Sequence, residues 1–251
     1  MTKGTGLGDN FYVGGYDLSG DTQSLGRIGG GAELLETTGI DKSGIERLGG
    51  TRSGGFDFES YFNDAAAAAH VALKPLPRTD VIMSYYRGTT QGNRVANLVA
   101  KQVSYDPTRG NDGSLTYSVT AESNGYGIEW GRMLTAGKQT DGSAGNGTGF
   151  QDPPGASTTF GLQAYMHVFA FTGTSVVVKL QESQDNASGD AYADVTGGAF
   201  ASVNGANVTE RIATSNSQTV EEWLRIVTTG TFSNFVFAVA VVRNEIAGQV
   251  F

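Results

Sequence analysis

Two histidines, His70 and His167, are the side chains whose ordinary pKa would let them move protons near neutral pH, and the chain has no cysteine. His70 follows an alanine run at 65–69, and His167 stands between Met166 and Val168. Neither has a second imidazole or a carboxylate at metal-ligand spacing, so a transition-metal site would need carboxylates brought from afar. Ordinary packing or surface roles account for both. Glu221 and Glu222 are neighbours, and on a strand they would point to opposite faces. Asp57 and Glu59 share a strand face, but glycoside hydrolysis needs two carboxyl groups flanking a cleft. A solvated strand face is the plainer reading.

Other motifs fall short in the same way. The segments Gly4-Thr5-Gly6-Leu7-Gly8 and Gly29-Gly30-Gly31 do not follow a strand and open a helix, and no phosphate-binding G-x-x-x-x-G-K-[ST] run occurs. Acidic turns at 106–112 and 185–190 lack the EF-hand order and a closing glutamate. Asn146, Asn186 and Asn207 open glycosylation sequons that read as turns in a chain without a secretory signal. Trp130 and Trp223 suit a core, or sugar stacking by the second half. The expectation is no catalytic residue, no metal and no cofactor.

Composition narrows the class. The chain has 251 residues, 37 of them glycine and 5 proline, with no collagen-like period. Without cysteine, stability must come from packing and sheet pairing. A net charge of −8 disfavours a nucleic-acid binder. No basic segment leads into an apolar stretch at the start, and the longest apolar run, 235–242, is too short for a membrane helix. A cytoplasmic product is expected.

Strands must position these residues. Residues 1–31 are polar and glycine-rich but carry Phe11, Tyr12 and Tyr16, which suits an arm docked on a surface. Residues 33–48 fit either a strand or a loop with a helical turn, with 34–38 the more strand-like part. Gly49-Gly50 and Gly54-Gly55 are expected to bracket a turn. A strand over 56–62 then meets a helix over 65–73, capped by Asp64 and ended by Pro75 and Pro77. Strands are expected at 79–87, 94–105, 114–122 and 125–134, with 106–113 a turn. Residues 136–159 read as a Gly/Ser/Pro-rich linker. Beyond it, strands are expected at 161–171, 175–182, 191–195, 199–203, 220–228 and 232–243, the last two joined as a hairpin by Thr229-Gly230-Thr231. The fold class is mainly β: a sandwich or barrel over 32–135 with one short helix, then a second small β-sandwich over 160–251. No internal repeat is evident.

Four segments carry a resemblance: DNFYVGGYDLSGDTQSL, TTGIDKSGIERLGGTRSGGFDFESYFND, PLPRTDVIMSYYRG and AKQVSYDPTRGNDGSLTYSVTAESNG. Residues 9–135 resemble the major tail-tube proteins of long-tailed, siphovirus-type bacteriophages. The resemblance implies a short helix packed on a β-sandwich, with one sheet of each subunit joining its neighbours in a closed barrel around a channel. It further implies that an arm, here 1–31, and a long loop, here about 39–55, lock one ring to the next. The interface residues it suggests are Phe11, Tyr12, Tyr16, Leu25, Ile40, Ile45, Arg47 and Arg52. The segments VVVKLQESQDN, AYADV and EEWLRIVTTGTFSNFVFAVAVVRN resemble β-sandwich modules appended to virion proteins. Together these likenesses imply a non-enzymatic virion protein of the tail, made in the host bacterial cytoplasm. Its partners would be itself, other tail proteins, and DNA that crosses the lumen without specific binding; no membrane is implied. Rings of six are expected, or of three if the second half is a further tube domain. The alternatives are a capsid decoration or other virion surface protein, and a sugar-binding module or glycan hydrolase.

Overall fold

The computed structural model describes residues 5–152 and 155–247. The first half holds β1 (Asn10–Val13), β2 (Tyr16–Asp17), β3 (Thr22–Glu36), β4 (Arg47–Tyr61), α1 (Ala69–Leu73), β5 (Val81–Tyr86), β6 (Arg94–Gln102), β7 (Asp106–Arg109), β8 (Leu115–Ser123) and β9 (Glu129–Met133). The second half adds β10 (Gln139–Asp141), β11 (Gly145–Asn146), β12 (Phe150–Gln151), β13 (Leu162–Ser183), β14 (Ala193–Ala199), β15 (Val208–Ala213) and β16 (Trp223–Arg243). The protein is mainly β, and its strands connect into one antiparallel sheet of 16 strands.

In the first half the sheet runs β1–β5–β6–β8–β4–β3 and curls around Phe11, Phe56, Phe58, Leu98, Tyr117 and Val119. The helix seats Ala69 and Leu73 on this core. It is shorter than the alanine run suggests, and Asp64 does not cap it. The Asp21 carboxylate does so instead, accepting from Ala69 N at 3.0 Å and from Asn63 Nδ2 at 2.8 Å. A carboxylate delivered by a distant loop outcompetes the local one because it also ties the helix to the barrel.

In the second half, the strands expected at 161–171 and 175–182 are one strand, β13, and those at 220–228 and 232–243 are one strand, β16. The two pair from Leu162↔Arg243 to Ser183↔Trp223. The Thr229-Gly230-Thr231 segment is therefore a kink within a strand, not a hairpin. Gly230 adopts φ +128°, and a side chain there would collide with the Ser175 carbonyl. Further along the ribbon, register shifts at Val168/Ala170 and on either side of Gly173 bend it. Both ends of the ribbon feed one core: Leu162, Met166 and Val241 from one, Val178, Leu180 and Ile226 from the other. The stretch read as a linker lies along β16, where β10, β11 and β12 pair with its free edge. Three further expectations change: 106–113 begins as a strand, β7; the strands expected at 191–195 and 199–203 are replaced by one, β14; and β15 occupies a segment in which no strand was expected.

The halves meet on the second faces of these strands. Tyr12, Tyr86, Val95 and Met133 pack with Phe169, Ala238 and Ala240, while Ile82 and Val99 pack with Tyr165 and Val242. Two polar groups cross this junction. Fully buried His167 lies 2.9 Å from Ser84 Oγ, whose hydroxyl donates to Asn97 Oδ1 at 2.8 Å. The imidazole therefore donates from Nε2, leaving Nδ1 without a partner. Arg211 pairs with Glu129 at 3.0 Å and lies 3.8 Å from the Tyr126 ring centroid. A second buried ion pair pins the end of β16: Arg243 meets Asp152 at 2.8 Å and donates to the carbonyls of Val220 and Glu221. Burial raises the Asp152 carboxyl above its ordinary value, more than Arg243 lowers it.

Two outcomes are expected. Burial pushes His167 from 6.5 down to about 3, so its folded form is neutral while the unfolded chain takes up a proton below about pH 6.5. Its contribution is complete above that pH and falls by on the order of 1 kcal/mol per unit down towards pH 3. Urea midpoints between pH 7 and 4 should drop less steeply in His167→Gln than in wild type; equal slopes would contradict this. Arg243→Met strands the Asp152 carboxylate and should cost about 3–5 kcal/mol in urea unfolding, with Asp152→Asn in the same chain recovering part of it.

Candidate assembly surface

The β3–β4 ribbon dominates the exposed apolar surface. Its lower half belongs to the barrel, where β4 pairs with β8 from Gly55↔Glu122 to Tyr61↔Thr116. Above Gly55 the two strands leave the sheet and pair only with each other, up to Glu36↔Arg47. Glycines make the exit. Gly29 faces Gly55 and Gly30 faces Gly54, a Cβ on Gly30 would strike Ser53, and one on Gly54 would lie 2.8 Å from Ile128 N. The Gly49-Gly50 and Gly54-Gly55 pairs thus lie inside β4 and bracket no turn. They let backbones approach where side chains cannot fit. Arg27 bonds Glu122 at 2.7 Å, and Gly54 N donates to Ser123 Oγ at 2.9 Å, fixing the root.

The ribbon carries aliphatic side chains into water: Leu34 is 65% exposed, Leu35 49%, Ile40 110%, Ile45 59% and Leu48 59%. Leu35 and Leu48 are cross-strand partners, and Leu34 points the other way, so both faces are apolar. Local bonds close the tip: Thr37 N to Glu46 O at 2.9 Å, Glu46 N to Thr38 Oγ1 at 3.0 Å, and a Lys42–Glu46 pair at 3.5 Å. An isolated two-stranded ribbon is marginal in water. One with open aliphatic faces fits a covered surface.

The residues expected at an interface separate into two groups. Ile40, Ile45, Arg47 and Arg52 lie on the exposed ribbon. Phe11 and Tyr12 do not reach a surface, being 2% and 1% exposed. Phe11 packs edge-on against Phe58, and Tyr12 fills the junction beside Tyr86 and Phe169. The aromatics of the expected arm serve the chain's own cores, because β1 adds to the sheet beside β5. Tyr16 and Leu25 are half-buried against the barrel core. Sequence reasoning passed over Leu34, Leu35 and Leu48. Their signal is two adjacent leucines on a strand, which leaves one exposed on each face of a two-stranded ribbon.

The residues with chemical potential are engaged structurally. His70 Nδ1 meets Tyr105 OH at 2.5 Å. Asp112 turns its carboxylate onto Ser114 N, and Asp185 onto Ser188 N. Glu182 accepts from Glu221 N at 2.9 Å, and burial raises both carboxyls, Glu221 further through Asp190. Among the described residues, no three His, Asp or Glu side chains form a group that could hold a metal. Trp130 is part-exposed on β9, and Trp223 opens β16 half-buried.

No family model matches the chain, and no curated protein matches it. Solved structures share partial likeness. A chain from the virion of a native gene transfer agent particle matches with a TM-score of 0.40 and 14% identity, over 50% of this chain and 98% of that one. The Dit protein of SPP1, described as a hub adsorption apparatus of phages that infect Gram-positive hosts, matches with a TM-score of 0.36 and 10% identity, over 94% and 99%. A chain of the phage p2 baseplate in its activated conformation matches with a TM-score of 0.31 and 10% identity, over 95% and 99%. Scores of this size establish no common fold.

The glycine exit makes a paired prediction. Gly54→Val forces a side chain onto Ile128 and should cost about 1–3 kcal/mol in urea unfolding. Gly49→Val, with open space around its Cβ, should stay within about 0.5 kcal/mol of wild type.

Proposed function

We propose that this chain is a structural component of a phage-type tail, and that its copies associate through the β3–β4 ribbon into rings that stack as a tube. One observation carries the reading: the upper half of the ribbon holds Leu34, Leu35 and Leu48 exposed, and among the described residues its strands pair there only with each other. Burying the exposed half to two-thirds of those side chains in a neighbour would contribute about 1–2 kcal/mol each, enough across a repeating contact to hold an assembly. The sequence resemblance to tail-tube proteins supports the tube in particular. A net charge of −8 suits a conduit that DNA traverses without sticking.

Replacing residues 32–52 by Asn-Gly joins Gly31 to Ser53, which are register partners, through a tight turn. The shortened chain should keep its melting temperature within a few degrees and lose self-association in sedimentation velocity. Wild type should form tubes with a central hole under the electron microscope. A wild-type chain that binds preformed capsids and never forms tubes would instead mark a decoration protein.

A further inference from the structure

Three asparagines precede a glycine, at Asn124-Gly125, Asn146-Gly147 and Asn204-Gly205. Such a pair can react with itself: the glycine backbone nitrogen attacks the asparagine Cγ, and a glycine has no Cβ to crowd the approach. Two local conditions decide whether it does. The side-chain amide must be free to swing onto the backbone, and the glycine N–H must not be committed to a hydrogen bond. The fold withholds one condition from each of two pairs. Asn146 ends β11, and Gly147 N donates to Ile226 O at 2.8 Å. Asn124 is held by its side chain, whose Nδ2 donates to Asp80 Oδ1 at 2.9 Å, and Lys101 Nζ fixes that carboxylate at 2.7 Å. Asn204 has neither restraint. It is exposed in the connection from β14 to β15, and among the described residues neither its side chain nor Gly205 N makes a hydrogen bond. Apart from its chain neighbours, nothing lies within 4 Å of where a Cβ on Gly205 would sit. The loop is fixed at both ends: Val203 N donates to Val176 O at 2.8 Å, and the Asn207 backbone lies against Gly15.

We propose that Asn204-Gly205 is a self-modification site, which converts to aspartate and isoaspartate in the folded protein while Asn124 and Asn146 keep their amides. Gly205 N forms a bond to Asn204 Cγ, and the Cγ–Nδ2 bond breaks. The side-chain nitrogen leaves as ammonia, taking the proton from the Gly205 N–H. The product is a five-membered cyclic imide, which water then opens at either carbonyl. Opening at Cγ leaves aspartate. Opening at the backbone carbonyl carbon of Asn204 leaves an isoaspartyl link, in which the chain runs through the side-chain carbons. No oxidant or reductant is needed; the sum is asparagine and water going to a carboxyl and ammonia. Either product adds a negative charge to a chain that already carries −8. The isoaspartyl product also inserts a methylene into the backbone of a loop held at both ends. A paired site reacts when local opening frees it, so the hydrogen bonds at Gly147 and Asn124 set their protection.

Site-resolved peptide mass spectrometry over time, on the folded full chain and on the same chain in urea, tests the assignment. In urea all three pairs should convert at similar rates, because each is an asparagine followed by glycine. Folding should slow Asn124 and Asn146 at least about tenfold, the effect of about 1.4 kcal/mol on a barrier, and should slow Asn204 by less than that. In the folded protein Asp80→Ala should return Asn124 towards its unfolded rate. Gly205→Ala should slow Asn204 at least about tenfold and leave the other two unchanged. If folding slows Asn204 as much as the others, or if Asn124 or Asn146 converts as fast as Asn204 in the folded chain, the proposal is overturned. An Asp80→Ala chain in which Asn124 stays slow would contradict the restraint on which the selection among the three rests.

Discussion

Burial of one ribbon on both faces is the constraint on which the other features depend. Over 162–169 and 237–242, β13 and β16 turn alternate side chains into two different interiors. Met166, Val168, Phe237 and Val239 enter the second-half core, while Tyr165, Phe169, Ala240 and Val242 meet the barrel. A strand covered on one side alternates; one covered on both reads as a continuous apolar run. That run forces the halves into contact, and it brings His167 and Arg211 into a junction where each must find a partner or cost stability. The same ribbon needs its outer edge closed, which β10, β11 and β12 do.

The contrast with the β3–β4 ribbon carries the functional argument. Both are long two-stranded ribbons with glycines at their bends. One turns most of its apolar side chains into a core. The other holds Leu34, Leu35 and Leu48 in water beyond a glycine crossing that anchors its root firmly. A chain able to bury one ribbon so completely has no packing reason to leave the other bare. Exposed aliphatics raise the hazard of nonspecific association.

Much of the strand content was legible, because period-two alternation at 56–62 and 114–122 reports one-sided burial directly. Connectivity was harder. Gly173 and Gly230 look like turn residues, yet they kink strands that continue, since a glycine marks close backbone approach as readily as reversal. The Gly54-Gly55 pair misled in the same way. The helix cap could not be read locally because Asp21 arrives from a loop far away in sequence. The aromatics Phe11 and Tyr12, expected on a docking arm, pack instead in cores of their own chain. At the ribbon, Ile40 and Ile45 were visible as apolar residues in a polar segment. Leu34 and Leu35 became informative only once both faces of their ribbon proved open.

Hydrogen–deuterium exchange of residues 30–53, tracked from dilute to concentrated protein, tests the central claim most directly. Coverage of the ribbon by a neighbouring copy predicts fast exchange of its amides at dilution and strong protection on assembly, with the amides of β13 and β16 protected throughout. Equal exchange of the ribbon in monomer and assembly would contradict the account.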